Sequence, residues 1–500
     1  MPAGIPAAPG GRIGRATAGI LSLLAGLLSL PACISVGPDY VAPEPDVPAA
    51  WHEPMAAGLE AGPAALGRWW TQFGDPLLAS LIERAAAGNP TVREAFFRIE
   101  EARAEHGVAA GEYFPEVEGF ATATRGRESA NESRKPPSSR RDRSYTTGLG
   151  ASWELDVWGR VRRAVESADA SIEASVEDRR DVLVLLCAEV AATYVDVRAL
   201  QARIAAARSN AENQRGTLKI TEDRFRSGLA PALDVAQAKL NVATSEASIP
   251  ELEIALAAAT NRLATLVAES ASTLHGELAT AAPVPAPPAS VAIGAPADVI
   301  RQRPDVRRAE RTLAAQTARI GMATAELYPR LSLEGILALD SYTLRKLLRS
   351  SSTAWSLSPE LGWNLFAAGR LRAAIRVEEA RTAQALAAWQ SAVLLALEDV
   401  ENALVAYQRE KVRRDALGRA VEAAEEAVRL SKESYRAGLS GFQNVLDSER
   451  SLLEMQDDLA ESEGLVTRSL VHIYRALGGG CDSADPDAGA GSAKERAPAP

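Results

Sequence analysis

Two stretches of the chain carry an apolar residue at every seventh position. The first contains Val235, Val242, Ile249, Leu256 and Leu263, and the second contains Val445, Leu452, Leu459, Val466 and Ile473. Mostly small residues follow three positions after each. A seven-residue period imposes a left-handed supercoil on helices that pack together. Each stretch therefore predicts a helix that lies along a neighbouring helix.

Each of these helices follows a longer stretch that is rich in Ala, Glu, Arg and Leu and contains no proline. The longer stretches run from Arg160 to Phe225 and from Arg370 to Tyr435. At a rise of 1.5 Å per residue, each predicts a helix of about 100 Å, a length typical of coiled coils. In the turn after the first, Gly228 can end one helix in the left-handed conformation and Pro231 can start the next.

A different pattern, with a period of two residues, separates the helical stretches. Between Pro115 and Trp158, Val117, Gly119, Ala121 and Ala123 alternate with Glu118, Phe120, Thr122 and Thr124, and a second segment runs from Tyr145 to Trp158. Two segments of the second half have the same alternating pattern, and they run from Leu331 to Leu339 and from Trp355 to Phe366. Such segments predict β-strands of membrane-spanning length. Because four strands cannot close a barrel and lipid does not tolerate a free sheet edge, several copies of the chain must share one barrel.

The two halves of the chain repeat one plan, which indicates a tandem duplication. The repeated segments share the offsets 214 and 210: Asn89–Ala95 with Arg303–Ala309 and Phe114-Pro115 with Tyr328-Pro329 at 214, Trp153–Leu155 with Trp363–Leu365 and Phe225–Leu229 with Tyr435–Leu439 at 210. Each half predicts a helix, a strand pair, a long helix, a sharp turn and a final helix.

Composition narrows the possible functions. Aromatic residues make up only 5% of the chain, as expected for long aliphatic helices, and 55 basic against 65 acidic residues argue against nucleic acid as a partner. The scattered histidines and the absence of catalytic motifs predict neither an enzyme nor a cofactor. The three cysteines match no zinc site and no disulfide framework, and Cys187 is expected to pack as a small apolar side chain.

The N-terminal 32 residues have the pattern of an export signal. Arg12 and Arg15 precede an apolar stretch from Ala18 to Leu30 that is too short and too interrupted to anchor the chain in a bilayer. The stretch ends in Leu30-Pro31-Ala32-Cys33, which resembles the lipobox of bacterial lipoproteins. The resemblance implies removal of residues 1–32 and diacylation of Cys33.

The mature sequence resembles the outer-membrane efflux factors, the TolC-like family, in the lipoprotein branch that serves resistance-nodulation-division (RND) pumps. The matching segments are Cys33–Tyr40 with Pro43, Trp69–Leu77 and Arg301–Arg307, together with the two repeated turns. The resemblance implies a homotrimer in the outer membrane. Its 12-stranded β-barrel, four strands per chain, would continue into a long periplasmic α-helical barrel that an iris closes at its inner end.

The resemblance also implies two sets of site residues. The turn residues Arg226, Gly228 and Leu229 of the first half and Arg436, Gly438 and Leu439 of the second would contact a periplasmic adaptor protein. Relatives line the closed iris with an Asp-Val-Leu-Asp motif after the second turn, which reads Asn444-Val445-Leu446-Asp447 here. The candidates for the aperture are thus Asp447, Asn444 and their first-half equivalents Asp234 and Gln237. A carboxylate ring at the aperture would attract cations.

Together these features predict the passive exit channel of a tripartite RND efflux pump, a conduit for drugs or other toxic small molecules. The channel would be closed at its periplasmic end and opened by an adaptor and an inner-membrane transporter. The predicted segments are a lipoprotein signal peptide (1–32), an extension with the first repeat (33–275), a Pro/Ala-rich linker (276–298), the second repeat (299–477) and a disordered tail (478–500). Type I secretion and metal-ion efflux remain alternatives within the channel class. A coiled-coil structural lipoprotein without a lumen is the alternative from another class.

Overall fold

The computed structural model describes residues 35–127, 129, 131 and 141–480, with only the backbone of Arg141 and Asp142. The predicted signal and Cys33 lie outside these residues. The helices are α1 (Pro76–Gly88), α2 (Pro90–Gly111), α3 (Arg160–Arg226), α4 (Ala232–Val267), α5 (Ala271–Glu277), α6 (Pro296–Gln302), α7 (Pro304–Ala325), α8 (Arg370–Arg436) and α9 (Phe442–Ala476). The strands are β1 (Leu59–Ala61), β2 (Glu116–Arg127), β3 (Arg141–Leu155), β4 (Val291–Ile293), β5 (Arg330–Ser341) and β6 (Thr353–Gly362).

The two long helices confirm the sequence prediction. Both α3 and α8 contain 67 residues, and each ends one residue beyond the predicted limit. The following helix α4 continues through Pro250. Within the described residues, no helix is long and apolar enough to cross a membrane.

The chain divides into two compact units, and the first contains the described residues up to Val41 with Arg103–Ala170 and Ala314–Gln384. Its centre is an antiparallel sheet with the strand order β2-β3-β5-β6. Two strands end earlier than predicted, β3 at Leu155 and β6 at Gly362, because their partner β5 begins only at Arg330, directly after Pro329.

The N-terminal segment of the first unit is held by a buried arginine. The Arg163 guanidinium, with its side chain only 4% exposed, donates to the backbone oxygens of Val36 and Gly37 and pairs with Asp39 at 2.7 Å. Gly37 has a positive φ of 91°, and a Cβ atom there would lie 2.4 Å from the Cα of Gly321. The Gly-Pro-Asp motif therefore fixes how the chain enters this unit.

The second unit comprises Ala42–Ala102, Ser171–Leu313 and the residues from Ala385 onward. Its main core includes Trp69 and Trp70, each 1% exposed, and the Trp69 ring stacks on Tyr474 with centroids 5.0 Å apart. Asp75 caps α1 by accepting from two backbone N–H groups, and it also accepts the Tyr194 hydroxyl hydrogen bond at 2.6 Å. Burial raises the pKa of Tyr194 to about 12. The Trp69–Leu77 motif is therefore a structural element.

The second motif of this unit that supports the family resemblance, around Arg303, is also structural. Arg303 is 7% exposed and donates to the backbone oxygen of Ala476 at 2.6 Å and to both carboxylate oxygens of Asp305 at 3.0 and 2.7 Å. It thereby joins the start of α7 to the end of α9. Gly478, with a φ of 76°, packs against Arg303. The described chain continues to Gly480, three residues into the predicted tail.

Two further features differ from the sequence interpretation. Cys187 is fully buried in the main core, as expected of a small apolar side chain, but it is disulfide-bonded. The predicted linker contains the strand β4, which pairs in parallel with β1. Neither feature has a local sequence signal, because both depend on a partner that is distant along the chain.

Candidate functional site

The two sharp turns between long helices have the same backbone structure. In the first, Gly228 has a φ of 73°, and its N–H donates to the Phe225 oxygen at 2.9 Å while the Leu229 N–H donates to the Arg224 oxygen at 2.8 Å. In the second, Gly438 has a φ of 76°, and the equivalent bonds are 3.0 and 2.8 Å. The left-handed residue is the glycine in both turns, because a side chain there would be strained.

The helices that follow the turns also start alike. Pro231 has φ and ψ of −76° and 158°, and Gly441 has −72° and 158°. Each stands just before the first helical residue, so Pro231 lies one position earlier than the predicted first helical turn. Leu229 and Leu439 are 67% and 83% exposed. The turns thus present an apolar side chain each at the surface.

A single arginine connects the first turn to the second. Arg224 donates from Nη1 to the backbone oxygen of Arg436 at 2.8 Å, and its guanidinium lies 4.7 Å from the centroid of the Tyr435 ring. The Tyr435 hydroxyl in turn donates to Asp234 Oδ2 at 3.3 Å. Burial raises the pKa of Tyr435. Asp234 is among the residues predicted from the sequence, whereas Arg224 is not. Arg224 lies in a helix rich in arginine, and no local sequence pattern sets it apart from the other arginines.

A small apolar core lies beneath the turns. Tyr435 and Phe442 contact each other with ring centroids 5.2 Å apart, and Val445, Leu446 and Ala238 complete the cluster. The predicted heptad position Val445 is therefore fully buried within one chain. This core anchors the second turn between α8 and α9.

The candidate aperture residues do not form one cluster within the chain. Asp234 belongs to the link between the turns, and Gln237 is half-buried one turn further along α4. Asp447 is exposed on α9 and accepts a hydrogen bond from Gln443 at 2.8 Å, and Asn444 is exposed on the same helix. The adaptor candidates Arg226 and Arg436 are exposed at the turns, and Arg226 pairs with Asp223.

A buried polar cluster centred on Glu449 lies further along the same helices. The Glu449 side chain is 5% exposed and accepts from Lys432 at 2.9 Å, from the Thr217 hydroxyl at 2.5 Å and from Asn241 at 3.3 Å. Four helices, α3, α4, α8 and α9, contribute one residue each. Glu449 lies four residues after the buried Val445, and this apolar spacing is the signal that could have predicted its burial.

The four-stranded sheet has one apolar and one polar face. Every observed pair joins two odd-numbered or two even-numbered residues, so each set lies on one face. Most of the odd face is apolar and carries Val117, Gly119, Ala121, Ala123, Tyr145, Thr147, Leu149, Ala151, Trp153, Leu155, Leu331, Leu333, Gly335, Leu337, Leu339, Trp355, Leu357, Pro359 and Leu361. At the end of the sheet next to the hairpin loops, the same face carries Arg125, Arg127, Arg143, Ser341 and Thr353. The even face is mostly polar or small and carries Glu116, Glu118, Phe120, Thr122, Thr124, Gly126, Ser144, Thr146, Gly148, Gly150, Ser152, Glu154, Arg330, Ser332, Glu334, Ile336, Ala338, Asp340, Ala354, Ser356, Ser358, Glu360 and Gly362.

Indole groups border one end of this sheet, and each has a hydrogen-bond acceptor. Trp153 donates to the Tyr113 oxygen at 2.9 Å, Trp158 to the Pro329 oxygen at 2.8 Å and Trp363 to the Leu327 oxygen at 3.1 Å. Amphipathic aromatic side chains with a satisfied polar atom are typical of the boundary between lipid and water.

In the part of the chain that the structure describes, no group of three or more potential metal ligands occurs.

A sheet with opposite faces of this kind, attached to long paired helices, defines the class of outer-membrane channel proteins. The solved structure of the outer-membrane channel OprN has the same fold, with a TM-score of 0.84, 37% identity and coverage of 89% of this chain and 99% of that chain. The family model of the outer membrane efflux proteins matches residues 81–269 and again 295–479. The chain belongs to the outer membrane efflux protein family.

Two relatives of nearly equal length support this assignment. Nodulation protein T of Rhizobium leguminosarum bv. trifolii is 34% identical over 470 residues, which cover 94% of this chain and 98% of the relative. The pyoverdine export outer membrane protein OpmQ of Pseudomonas putida is 34% identical over 470 residues, which cover 93% and 98%. The predicted family is therefore confirmed.

Proposed function

We propose that this chain is the outer-membrane exit channel of a tripartite RND efflux pump and conducts its cargo passively. The observation that carries the proposal is the sheet with one apolar face, one polar face and two free edges, β2 and β6. In a membrane, backbone groups along a free edge would lack hydrogen-bond partners. Three copies would remove all free edges by forming a 12-stranded barrel with the polar faces around a lumen.

The long helices would form the periplasmic part of the same channel. The two halves of the chain are proposed to be tandem copies of one unit. This interpretation is supported by equal helix lengths of 67 residues, by two turns with matching φ values and by two matches to one family model. Helix pairs from three chains would then surround one axis, as the resemblance to the TolC-like family implies.

The periplasmic end would carry both the partner site and the gate. The exposed Leu229 and Leu439, beside Arg226 and Arg436, support a contact of both turns with an adaptor protein, which would couple the channel to the inner-membrane transporter. Asp447 is exposed on α9, so three copies around the axis would form a carboxylate ring that favours cations. Opening would require the α8–α9 pair to move relative to the α3–α4 pair, which Arg224 and Glu449 connect.

The chain would be exported and anchored at its N-terminus. The signal (1–32) and lipid-modified Cys33 remain proposals from the sequence, as do the boundaries of the repeats, the linker and the tail. The nature of the cargo is open within the family. The relative OpmQ is named for pyoverdine export, so small exported molecules are the proposed class, with type I secretion and metal-ion efflux as alternatives.

Single-channel recording tests the proposed function. Purified detergent-solubilised protein in a planar bilayer should give discrete conductance steps that rise in frequency with protein concentration. A coiled-coil structural lipoprotein would give none. The deletion strain should become more susceptible to toxic small molecules, whereas a type I secretion channel would lose an exported protein and a metal channel would lose resistance to metal salts.

A further inference from the structure

The free edges β6 and β2 are the surfaces at which neighbouring copies would meet in the shared barrel. Their alignment cannot be read from one chain alone, but the internal repeat supplies it. Under the repeat, β5 is the counterpart of β2 at the offset 214, and β6 is the counterpart of β3 at the offset 210. The chain therefore contains two hairpin junctions, β2–β3 and β5–β6, and one junction between the repeats, β3–β5.

The two hairpins show that the repeat preserves strand register. Glu118 pairs with Gly150 in the first hairpin. Applying the two offsets to this pair gives Ser332 and Glu360, which are paired in the second hairpin. The two sequence offsets, applied to the first hairpin, thus give the strand register observed in the second hairpin. They do so even though the two hairpin loops differ in length.

The junction between β3 and β5 joins the two repeats within the chain. It is not closed by a hairpin loop, since α3, α4 and the segment up to α7 separate the two strands. In a ring of repeats, the junction between β6 of one copy and β2 of the next would be its equivalent. The side chains on both junctions come from corresponding positions of the same two strand types.

We infer that β6 pairs in antiparallel fashion with β2 of a second copy of this chain, with Glu360 opposite Thr122. This inference rests on the proposed shared barrel. It follows from the observed pair Gly150–Ile336, because 210 residues after Gly150 lies Glu360 and 214 residues before Ile336 lies Thr122. A Cβ atom at Gly150 would meet nothing within 4 Å, so side chains can occupy the equivalent position of the new junction. A Cβ atom at Gly148 would lie 2.3 Å from the Leu337 oxygen, so the equivalent pair Ser358–Thr124 requires a wider spacing of the two strands at that point.

The inferred register is compatible with the faces of the sheet. It places Leu361 opposite Ala121 and Trp363 opposite Gly119, so all these residues stay on the apolar face. A slip of one residue would move every polar side chain of the next copy to the lipid side. The register also sets large side chains against small ones, and Gly362 would face Phe120.

Cysteine cross-linking tests the register directly. Residues directly opposite each other have Cα atoms about 4.5–5.5 Å apart, within disulfide range, whereas a slip of two residues raises the separation to about 7–8 Å. The test variant combines Glu360→Cys with Thr122→Cys in the full-length protein in membranes. The matched controls combine Glu360→Cys with Thr124→Cys or with Phe120→Cys, and the parent protein and single variants measure cross-linking through the native cysteines.

After mild oxidation, the Glu360–Thr122 variant is expected to give reducible dimers and trimers at least about tenfold more efficiently than either control pair. A stronger product with position 124 or 120 would overturn the register and leave the shared barrel intact. If none of the three pairs gives an oligomer above the parent protein, although the protein is membrane-inserted and resistant to protease, the edges do not meet and the proposed shared barrel fails as well.

Discussion

Replacing Glu449 by alanine should loosen the helices near the turns. The change removes the carboxylate that accepts from Lys432 at 2.9 Å, Thr217 at 2.5 Å and Asn241 at 3.3 Å. Removing one partner of a buried ion pair typically costs about 3–5 kcal/mol. The lower end, about 3 kcal/mol, applies here because the Lys432 side chain is 21% exposed and can reach water. Without Glu449, the Thr217 hydroxyl can donate instead to the Asn213 oxygen, which lies 3.2 Å away.

Hydrogen exchange under native conditions measures this loss without requiring reversible unfolding. A change of about 3 kcal/mol corresponds to an increase of about a hundredfold in the local opening equilibrium, since about 1.4 kcal/mol is a factor of ten. The increase should appear in peptides around Thr217, Asn241 and Glu449. Peptides of the main core around Trp69 should exchange as in the parent protein, because that core lies elsewhere in the second unit.

Two variants separate the lost ion pair from a general defect of α9. Glu454→Ala removes an exposed carboxylate of the same helix and should change exchange by less than about threefold. The double variant Lys432→Met with Glu449→Leu should recover most of the protection, because apolar residues of similar size often replace a buried ion pair without loss. If Glu449→Ala raises exchange less than tenfold, or if the double variant exchanges as fast as Glu449→Ala, the cluster does not hold the helices together.

Three further changes test the turns, the gate and a partly buried histidine. Tyr435→Phe removes the hydroxyl bonded to Asp234 and should cost about 1 kcal/mol, seen as faster exchange at both turns, while Phe225→Leu at the exposed equivalent position should have little effect. Asp447→Ala should reduce the cation preference of the channel, and an unchanged reversal potential would exclude Asp447 from the gate. Burial lowers the pKa of His472, so the folded protein binds a proton at this side chain less readily than the unfolded protein does. The free energy of unfolding should therefore fall as the pH falls from 7 to 5. The His472→Gln variant should lose less stability over this range in chemical denaturation.

Local signals predicted the helical part of the fold well. The long helices α3 and α8 end within one residue of the prediction, because Gly228 and Gly438 impose the left-handed conformation that terminates them. These signals act within a few residues of the chain. The ends of β3 and β6 were predicted less accurately, since pairing depends on where the neighbouring strand starts, and β5 starts directly after Pro329.

Features that depend on distant partners could not be predicted in this way. Arg224 and Glu449 look like ordinary surface charges in charged helices, and only packing places the first against Tyr435 and the second among buried polar groups. The disulfide state of Cys187 likewise depends on a residue far away in sequence. Asp447 could be located on its helix from the sequence, but its proposed role depends on other copies of the chain.

The two turns share a backbone but differ in their side chains, and this difference bears on how the channel would open. Phe225 of the first turn is 45% exposed, whereas its counterpart Tyr435 is 4% exposed and packs against Phe442. The equivalent of Phe442 in the first half is Ala232, so only the second turn has an aromatic anchor. Arg224 covers that anchor. The turns therefore cannot separate without exposing Tyr435 and leaving the Arg436 carbonyl without its donor, and an adaptor that opens the channel must compensate for both losses.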